Sequence, residues 1–386
     1  MRFIPGKGPI PVAVVDTMRH GRPVRRRNTW EALAVGALFA VLACNSATLD
    51  VSPPNGGVAS TNDCTASEDG CDAGSTTDAG KKDASLGTSI DVSIQVEPGD
   101  YGDVIKNAIT GATSSIHMTM YLLTSSTLIT ALTAQKAAGI EVKVVLNHTF
   151  PTSGGDDTGS NDYAFTKLTA GNVDVVWASD AYTYTHAKTI VIDGTTAIIS
   201  TMNLAYTSPT NNREYIATDT DAADVADCEK LFAADYAGTP ISLASKLTIS
   251  PTDANENGSP TTMIAGFIAS ATKTLDVEVQ SVGDKTVNGA IIAAQKAGIK
   301  VRVMVSNYET ETTLSKGGVS VQTLTTPYIH AKAVIVDGAK MWMGSQNFTT
   351  NALTNNREVG LFTTKASEIA KVQAAMDADF KAGRAQ

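Results

Sequence analysis

The sequence predicts an α/β protein of two similar halves, each a mixed β-sheet flanked by helices. Two pairs of matching segments support this prediction. Residues 134–144, with the pattern of a helix that feeds an alternating strand, return at 294–303, and a longer polar motif that begins at His186 returns at His330. We therefore expect the halves to span residues 90–242 and 243–386 and to be related by a pseudo-twofold axis.

The first 44 residues have the features of a targeting segment. Three arginines at 25–27 precede an apolar run from Ala32 to Ala43, which is too short to span a bilayer as a mature helix. The run ends in Val41-Leu42-Ala43-Cys44, which resembles the lipobox of bacterial lipoproteins. We therefore expect export and a membrane tether through lipidated Cys44. An ordinary cleaved signal peptide, giving a secreted protein, and a retained membrane anchor are the alternatives.

Residues 45–89 predict a flexible polar linker. The segment is rich in Ser, Thr, Asp, Gly and Ala and poor in large apolar residues, so it cannot bury enough surface to offset its ordering entropy. Cys64 and Cys71 lie close together in it, and export would permit a disulfide there. No histidine lies near them at the spacing of a zinc site, so the sequence predicts no metal.

The charge of the chain is acidic and unevenly spread. There are 30 Lys and Arg against 39 Asp and Glu, for a formal net charge of -9, and a cluster of the basic residues lies in the targeting segment. The remainder is therefore more acidic still. Because such a body repels polyanions, a general nucleic-acid scavenger is disfavoured, and we expect no obligatory nucleic-acid partner.

Further matches extend the repeat on both sides. The repeated helix ends at a glycine in each half, Gly139 and Gly298, as helices commonly do. The other matching segments are 116–120 with 275–279 and 94–98 with 247–251. The first half also carries an insertion, Phe150 to Tyr163, whose Gly, Asp and Ser content predicts a loop. This loop either shapes a substrate entrance or is an ordinary surface insertion.

The polar motif predicts a cluster of anion-binding groups at strand ends. Its histidine and lysine are two residues apart, so on a strand they point to the same face. An apolar run and an Asp-Gly pair follow, which is a strong hairpin pattern. The return strand ends with a hydroxyl and an asparagine, again two apart. The two copies are His186, Lys188, Asp193, Thr201, Asn203 and Glu214, and His330, Lys332, Asp337, Ser345, Asn347 and Glu358.

One copy would make a modest anion site, whereas two copies facing each other would surround a phosphodiester. A lone His-x-Lys on a strand is ordinary surface decoration, but the doubled pattern at identical spacing makes that interpretation improbable. One imidazole would then attack phosphorus while the other protonates the leaving oxygen. The sequence thus predicts one active site shared by both halves.

These residues resemble the phospholipase D superfamily, which carries a duplicated His-x-Lys-x4-Asp-x6-Gly-Ser-x-Asn motif. The second copy matches it completely, and the first has Ser200 and Thr201 in place of Gly-Ser. The resemblance covers residues 90–386 and implies two domains of this family with a metal-independent, cofactor-free mechanism through a phosphohistidine.

The resemblance also implies roles for the motif residues. His186 is expected to be the nucleophile and His330 the general acid and base. The lysines, asparagines and hydroxyls are expected to hold the phosphate, and the glutamates to orient the imidazoles. The residues in these roles are Lys188, Lys332, Asn203, Asn347, Thr201, Ser345, Glu214 and Glu358. Asp193 and Asp337, at the turns, are expected to be structural.

Four functions are compatible with the motif. The first is hydrolysis of a glycerophospholipid, at a membrane surface, to phosphatidate and a free head group, which fits an exported and acidic protein. The second is a nuclease of the same superfamily, for which the acidic body is unfavourable. The third is phosphatidyl transfer of the cardiolipin synthase type, and the fourth is a non-catalytic binding module. Because both motifs lie in one chain, we expect a monomer.

Overall fold

The computed structural model of the chain describes residues 87–151, 159–306 and 312–385. The predicted targeting segment, Cys44, nearly all of the predicted linker and the middle of the insertion loop lie outside the described residues. Within the described ranges, none of the helices combines the length and apolar character that crossing a bilayer requires.

The first half forms a mixed sheet with the strand order β1-β7-β6-β5-β2-β3-β4. Strands β2, β3 and β4 run parallel to one another, and the other neighbours pair antiparallel. The strands are β1 (Val92–Glu97), β2 (Ser115–Met120), β3 (Glu141–Leu146), β4 (Asp174–Trp177), β5 (Lys188–Ile192), β6 (Thr196–Ser200) and β7 (Asn212–Asp219). The helices are α1 (Asp103–Gly111), α2 (Ser126–Ala137), α3 (Asp162–Ala170), α4 (Ser208–Asn211) and α5 (Ala222–Ala237).

The second half repeats this arrangement with the order β16-β11-β10-β9-β13-β14-β15-β8. The strands are β8 (Thr248–Ser250), β9 (Thr274–Val279), β10 (Lys300–Val305), β11 (Val321–Thr323), β12 (Tyr328–Ile329), β13 (Lys332–Val336), β14 (Lys340–Gly344), β15 (Glu358–Thr363) and β16 (Arg384–Ala385). The helices are α6 (Pro260–Ala269), α7 (Lys285–Lys296), α8 (Thr312–Lys316), α9 (Thr350–Thr354) and α10 (Ala366–Ala382). The prediction of two similar mixed α/β halves is confirmed.

The local signals of the repeat have the expected structural outcome. Helices α2 and α7 end just before Gly139 and Gly298, which adopt positive φ angles of 93° and 84°. The Asp-Gly pairs form the two hairpin turns, with φ of 54° and 63° at 193–194 and of 54° and 64° at 337–338. Positive φ at both central residues matches the twist of the flanking strands.

The turn aspartates hold each hairpin to the chain that leads into the neighbouring strand. Asp193 accepts hydrogen bonds from the backbone N–H groups of Thr113, Ser114 and Ser115. Asp337 receives the same set from residues 272–274. Burial of the two carboxyls opposes their ionisation, but it is slight, and the hydrogen bonds lower the pKa of both. The pKa of Asp337 falls to about 2. Both aspartates are therefore structural.

Three hydrophobic clusters hold the molecule together. One lies within the first half and another within the second. The third is built from both, with Val92, Ile94 and Tyr215 of the first sheet packed against Ile249 and Ile335 of the second. Cys228 is buried in this shared cluster. The two halves are thus joined by a core and not only by a surface contact.

Two buried ion pairs connect each half to the last helix of the other. Arg213, in β7, contacts Asp379 of α10 at 2.5 Å, and Arg357, just before β15, contacts Asp235 of α5 at 3.0 Å. Each guanidinium also donates to a backbone carbonyl, of Glu97 and of Ser250 respectively. Because both partners are buried, these pairs fix the relation of the halves.

We predict that Arg357→Met lowers the free energy of unfolding by about 3–5 kcal/mol, because Asp235 is left buried without its cation. Urea denaturation of the purified protein measures this change. The matched control is Lys230→Met, whose exposed pair with Asp227 should contribute about 0.5 kcal/mol or less. An equal effect of the two substitutions would contradict a structural role for the Arg357 pair.

Candidate active site

The two motif histidines enter the site on segments that pair with the opposite half. The backbone N–H of His186 donates to the Arg357 carbonyl at 2.8 Å, and that of Arg357 to the Tyr184 carbonyl at 2.9 Å. In the same way, β12, just before His330, runs parallel to the start of β7, with Tyr328 opposite Asn212. Each histidine is therefore delivered next to a glutamate of the other half.

This exchange produces two buried His–Glu pairs. The Nδ1 atom of His186 lies 2.8 Å from Oε2 of Glu358, and Nδ1 of His330 lies 2.7 Å from Oε1 of Glu214. Both glutamates are fully buried. Burial alone would favour the neutral carboxyl, but the charge and hydrogen bond of His330 lower the pKa of Glu214. A carboxylate on Nδ1 orients the imidazole and assigns the chemistry to Nε2.

Two lysines place positive charge beside the imidazoles. Lys188 and Lys332 are almost completely buried. Each ammonium donates to the carbonyl of its own histidine, His186 at 2.7 Å and His330 at 2.5 Å. Lys188 also lies 4.8 Å from the centroid of the Tyr121 ring. Buried ammonium groups suit an anionic ligand, because an unpaired buried charge is costly.

The two asparagines of the motif each have a buried carbonyl oxygen without a partner. Asn203 is buried and Asn347 is partly buried. Their Oδ1 atoms have no hydrogen-bond partner within the described parts of the chain. The Nδ2 group of Asn347 donates to Oε1 of Gln280 at 3.2 Å. Buried polar atoms are normally paired, so each unpaired Oδ1 marks a position open to a hydrogen-bond donor.

The motif hydroxyls have partners within the protein. Thr201 donates to Oε2 of Glu214 at 2.6 Å and accepts from the N–H of Tyr215 at 2.9 Å. Ser345 accepts from the N–H of Val359 at 3.1 Å. In this structure Thr201 therefore fixes the glutamate that holds His330, and direct contact of the two hydroxyls with phosphate stays a prediction.

The departure of the first copy from Gly-Ser has a steric explanation. Gly344 lies opposite Gly360 in the second sheet, and a Cβ at 344 would come within 2.5 Å of the Gly360 Cα. At the equivalent position of the first sheet, Ser200 lies opposite Ile216, and its hydroxyl accepts from the N–H of Met202 at 2.9 Å. The first half thus accommodates a side chain where the second cannot.

No group of three or more His, Cys, Asp or Glu suited to a metal ion occurs within residues 87–151, 159–306 and 312–385. Among the described residues, two further histidines lie outside the motifs. His117 is held between Glu229 and Glu141 at 2.7 and 2.9 Å, and His148 stacks on Trp177.

A family model described as "Cardiolipin synthase, PLD-like domain" matches residues 105–236 and 264–381, well over half of the chain, and each matched segment contains one copy of the motif. The chain belongs to the phospholipase D superfamily. Superfamily membership supports an enzyme of the phosphodiesterase or phosphatidyl-transferase class.

Several known members of the superfamily, or of its fold, resemble the chain. The mitochondrial cardiolipin hydrolase of Chlamydomonas reinhardtii is 30% identical over 99 residues, or 24% of this chain and 44% of that protein. The chain thus spans less than half the length of this curated relative.

Two solved structures are similar in fold to most of the described chain. Phosphatidylserine synthase from Haemophilus influenzae Rd KW20 superposes with a TM-score of 0.59 at 11% identity, covering 77% of this chain and 87% of that one. Polyphosphate kinase from Porphyromonas gingivalis gives a TM-score of 0.58 at 17% identity, covering 75% and 47%. At these identities the likeness establishes the fold alone.

Several residues that support this phospholipase D site were not predicted. Asn212 donates to Oε1 of Glu214 at 3.3 Å, and Asn356 donates to Oε1 of Glu358 at 2.9 Å. The repeated Asn-Arg-Glu triplet at 212–214 and 356–358 could have indicated both asparagines. Tyr121, whose ring meets His186 edge-on at 4.5 Å, has no counterpart signal in the sequence.

A second unpredicted feature makes the halves of the enzyme unequal. Glu278 of β9 is fully buried, and Tyr215 of β7 donates to its Oε2 atom at 2.5 Å. Burial and the neighbouring charge of Asp379 raise the pKa of Glu278 to about 8. The repeat-equivalent positions hold Thr119 and Val359, so this buried acid exists on one side alone.

We predict that Glu278→Gln stabilises the protein at alkaline pH. The pKa of Glu278 is raised above that of the unfolded chain, so the folded state favours the proton and loses stability as pH rises from about 4.5 to about 8. Glutamine carries no such penalty, so the variant should gain roughly 2 kcal/mol or more over wild type across that window.

Urea denaturation at pH 5, 7 and 9 measures this difference, with exposed Glu256→Gln as the matched control. A difference between wild type and Glu278→Gln that stays constant over the whole pH range would mean that Glu278 does not titrate as described.

Proposed function

We propose that the protein is a phospholipase D that hydrolyses a glycerophospholipid to phosphatidate and the free head-group alcohol. The observation that carries the proposal is the pair of buried histidines, each held through Nδ1 by a carboxylate of the opposite half. A carboxylate on Nδ1 leaves Nε2 of each imidazole for chemistry, and we propose that both imidazoles act at one phosphate together with the two lysines and the two asparagines of the motif.

In the first step, Nε2 of His186 attacks phosphorus and forms a P–N bond. The bond from phosphorus to the head-group oxygen breaks, and His330, protonated at Nε2, gives its proton to that oxygen. The products are a phosphatidyl-histidine and the head-group alcohol. Glu358 stabilises the positive imidazole ring of His186, because its carboxylate lies on the opposite nitrogen.

In the second step, neutral His330 takes a proton from water as the water oxygen attacks phosphorus. The P–N bond breaks, phosphatidate leaves and His186 returns to its neutral form. Throughout, Lys188 and Lys332 neutralise charge that develops on the non-bridging oxygens, and Asn203 and Asn347 donate hydrogen bonds to them. Neither step requires a metal or a cofactor.

A lipid substrate is favoured over nucleic acid by charge. The chain carries more Asp and Glu than Lys and Arg, whereas nucleases of polyanions need extended basic surfaces. The curated relative is, by its name, a cardiolipin hydrolase, and cardiolipin is a phospholipid. We further propose that the protein acts at a membrane surface after export, tethered through lipidated Cys44, and that one chain suffices for activity.

We predict that His186→Ala and His330→Ala each lower kcat at least about 10³-fold, because each removes a group that acts at phosphorus or at the leaving oxygen. Release of head group from phospholipid vesicles by the full-length protein, with and without EDTA, measures this. His117→Gln is the matched control and should retain turnover, because the His117 imidazole contacts Glu229 and Glu141 and no motif side chain.

The phosphohistidine intermediate can be detected directly. With a phosphodiester whose leaving group is p-nitrophenol, which departs without a proton, His330→Ala should accumulate a phosphohistidine on His186 that mass spectrometry detects, and His186→Ala should form none. Cleavage of DNA or RNA with inert phospholipid, or turnover abolished by EDTA, would overturn the proposed function.

A further inference from the structure

A groove of about 760 Å³ opens beside the His330 side of the site. Both halves line it. The first half supplies the chain that follows β2 and the loop around α4, and the second supplies the segment that leads into β12. Its lining residues include Thr124, Thr210, Asn211, Thr325 and Thr326.

The groove is lined by neutral hydrogen-bonding groups. Nine of its lining side chains are hydroxyls or carboxamides, and among the described residues that line it none is charged. Thr124, Thr207, Thr210, Thr325 and Thr326 are exposed. A hydroxyl both donates and accepts, so such a surface matches a ligand that does the same at several neighbouring positions.

Two hydrogen-bonded connections join the groove to the reacting centre. Asn212 in the groove wall donates to Glu214, which holds His330. Tyr328 in the same wall accepts from Nε2 of Gln280 at 3.4 Å, and Oε1 of that glutamine accepts from Asn347 at 3.2 Å. The groove wall is therefore two hydrogen bonds away from His330 and from Asn347.

The cleft related to this groove by the repeat has a different character. It measures about 270 Å³ and is lined by Tyr182, Asp235, Asp253 and Arg357. The Arg357 guanidinium lies 4.4 Å from the Tyr182 ring centroid and pairs with Asp235. Internal ion pairing thus occupies the second cleft, and the neutral groove is the larger opening.

Resting on the proposed function, we propose that this groove binds an uncharged polyhydroxy head group as the leaving alcohol. A quaternary or primary ammonium head group would need a carboxylate or an aromatic cage, and the groove offers neither among its described lining residues. A polyphosphate or nucleic-acid leaving group would need lysines or arginines. Hydroxyls and carboxamides suit a polyol such as glycerol or inositol.

The groove takes part in the first step of the reaction alone, in which it binds the leaving polyol. The bond between phosphorus and the polyol oxygen breaks, the proton of His330 goes to that oxygen, and the polyol leaves through the groove. Contacts to the polyol are thus made before and during bond cleavage. A site built to bond hydroxyls discriminates strongly against a head group that lacks them, because its own groups are then left unpaired.

The test compares head groups in the full-length protein. Phosphatidylglycerol, phosphatidylinositol, phosphatidylserine, phosphatidylethanolamine and phosphatidylcholine are presented singly at low mole fraction in the same neutral detergent micelle. Phosphatidylserine is the matched control for lipid charge, since it is anionic without a polyol. We expect kcat/KM for the glycerol or inositol lipid to exceed that for the other three by about tenfold or more.

The groove variant Thr124→Val with Thr326→Val keeps side-chain size and removes two exposed hydroxyls, one from each half. We expect KM for the preferred polyol lipid to rise about tenfold, at roughly one hydrogen bond per hydroxyl. Turnover of bis(p-nitrophenyl) phosphate, which has no polyol, should stay unchanged. Thr130→Val, on exposed helix α2, is the matched control and should leave both substrates unaffected.

Equal or faster turnover of phosphatidylcholine or phosphatidylserine, or a polyol preference that survives in the groove variant, overturns the groove assignment while leaving the phosphodiesterase intact. If the unmodified protein turns over neither bis(p-nitrophenyl) phosphate nor any of the lipids, the proposed function is overturned, and the groove assignment with it. Comparing phosphatidylglycerol with phosphatidylinositol shows which of the two polyol head groups the groove prefers.

Discussion

The site depends on one reciprocal interaction, in which each half supplies the carboxylate that holds the other half's histidine. His186 with Glu358 and His330 with Glu214 are the two buried pairs. Neither half alone can orient its own imidazole, because the partner carboxylate comes from the opposite sheet. The shared core and the buried Arg–Asp pairs therefore act on catalysis as well as on stability, since they set the distance between the two rings.

The internal repeat places equivalent residues in both halves of the site. At positions where the two repeats differ, the two halves have different properties. Glu278 and Tyr215 form a buried pair on one side alone, where the repeat-equivalent residues are Thr119 and Val359. The clefts on the two sides also differ, one neutral and open and the other occupied by Arg357 and its partners. Such inequality is compatible with a mechanism in which one histidine is the nucleophile and the other the general acid.

Sequence patterns predicted what is local. The Asp-Gly turns and the helix-ending glycines follow from backbone sterics, and the structure confirms them. The same-face placement of His and Lys stays a prediction, because β5 and β13 begin at Lys188 and Lys332, two residues after each histidine. The exchange of glutamates between halves was not predictable in the same way, because it depends on how two sheets dock. The bond from Thr201 to Glu214 and the burial of Glu278 are also consequences of docking, and no periodicity signals them.

The most direct test of this account is a crystal structure of the protein with vanadate, an analogue of the pentacoordinate phosphorus. The account predicts one vanadate between the Nε2 atoms of His186 and His330, with Lys188, Lys332 and both motif asparagines on its equatorial oxygens. Two imidazoles in separate clefts, or a vanadate held by the residues of one half alone, would contradict it.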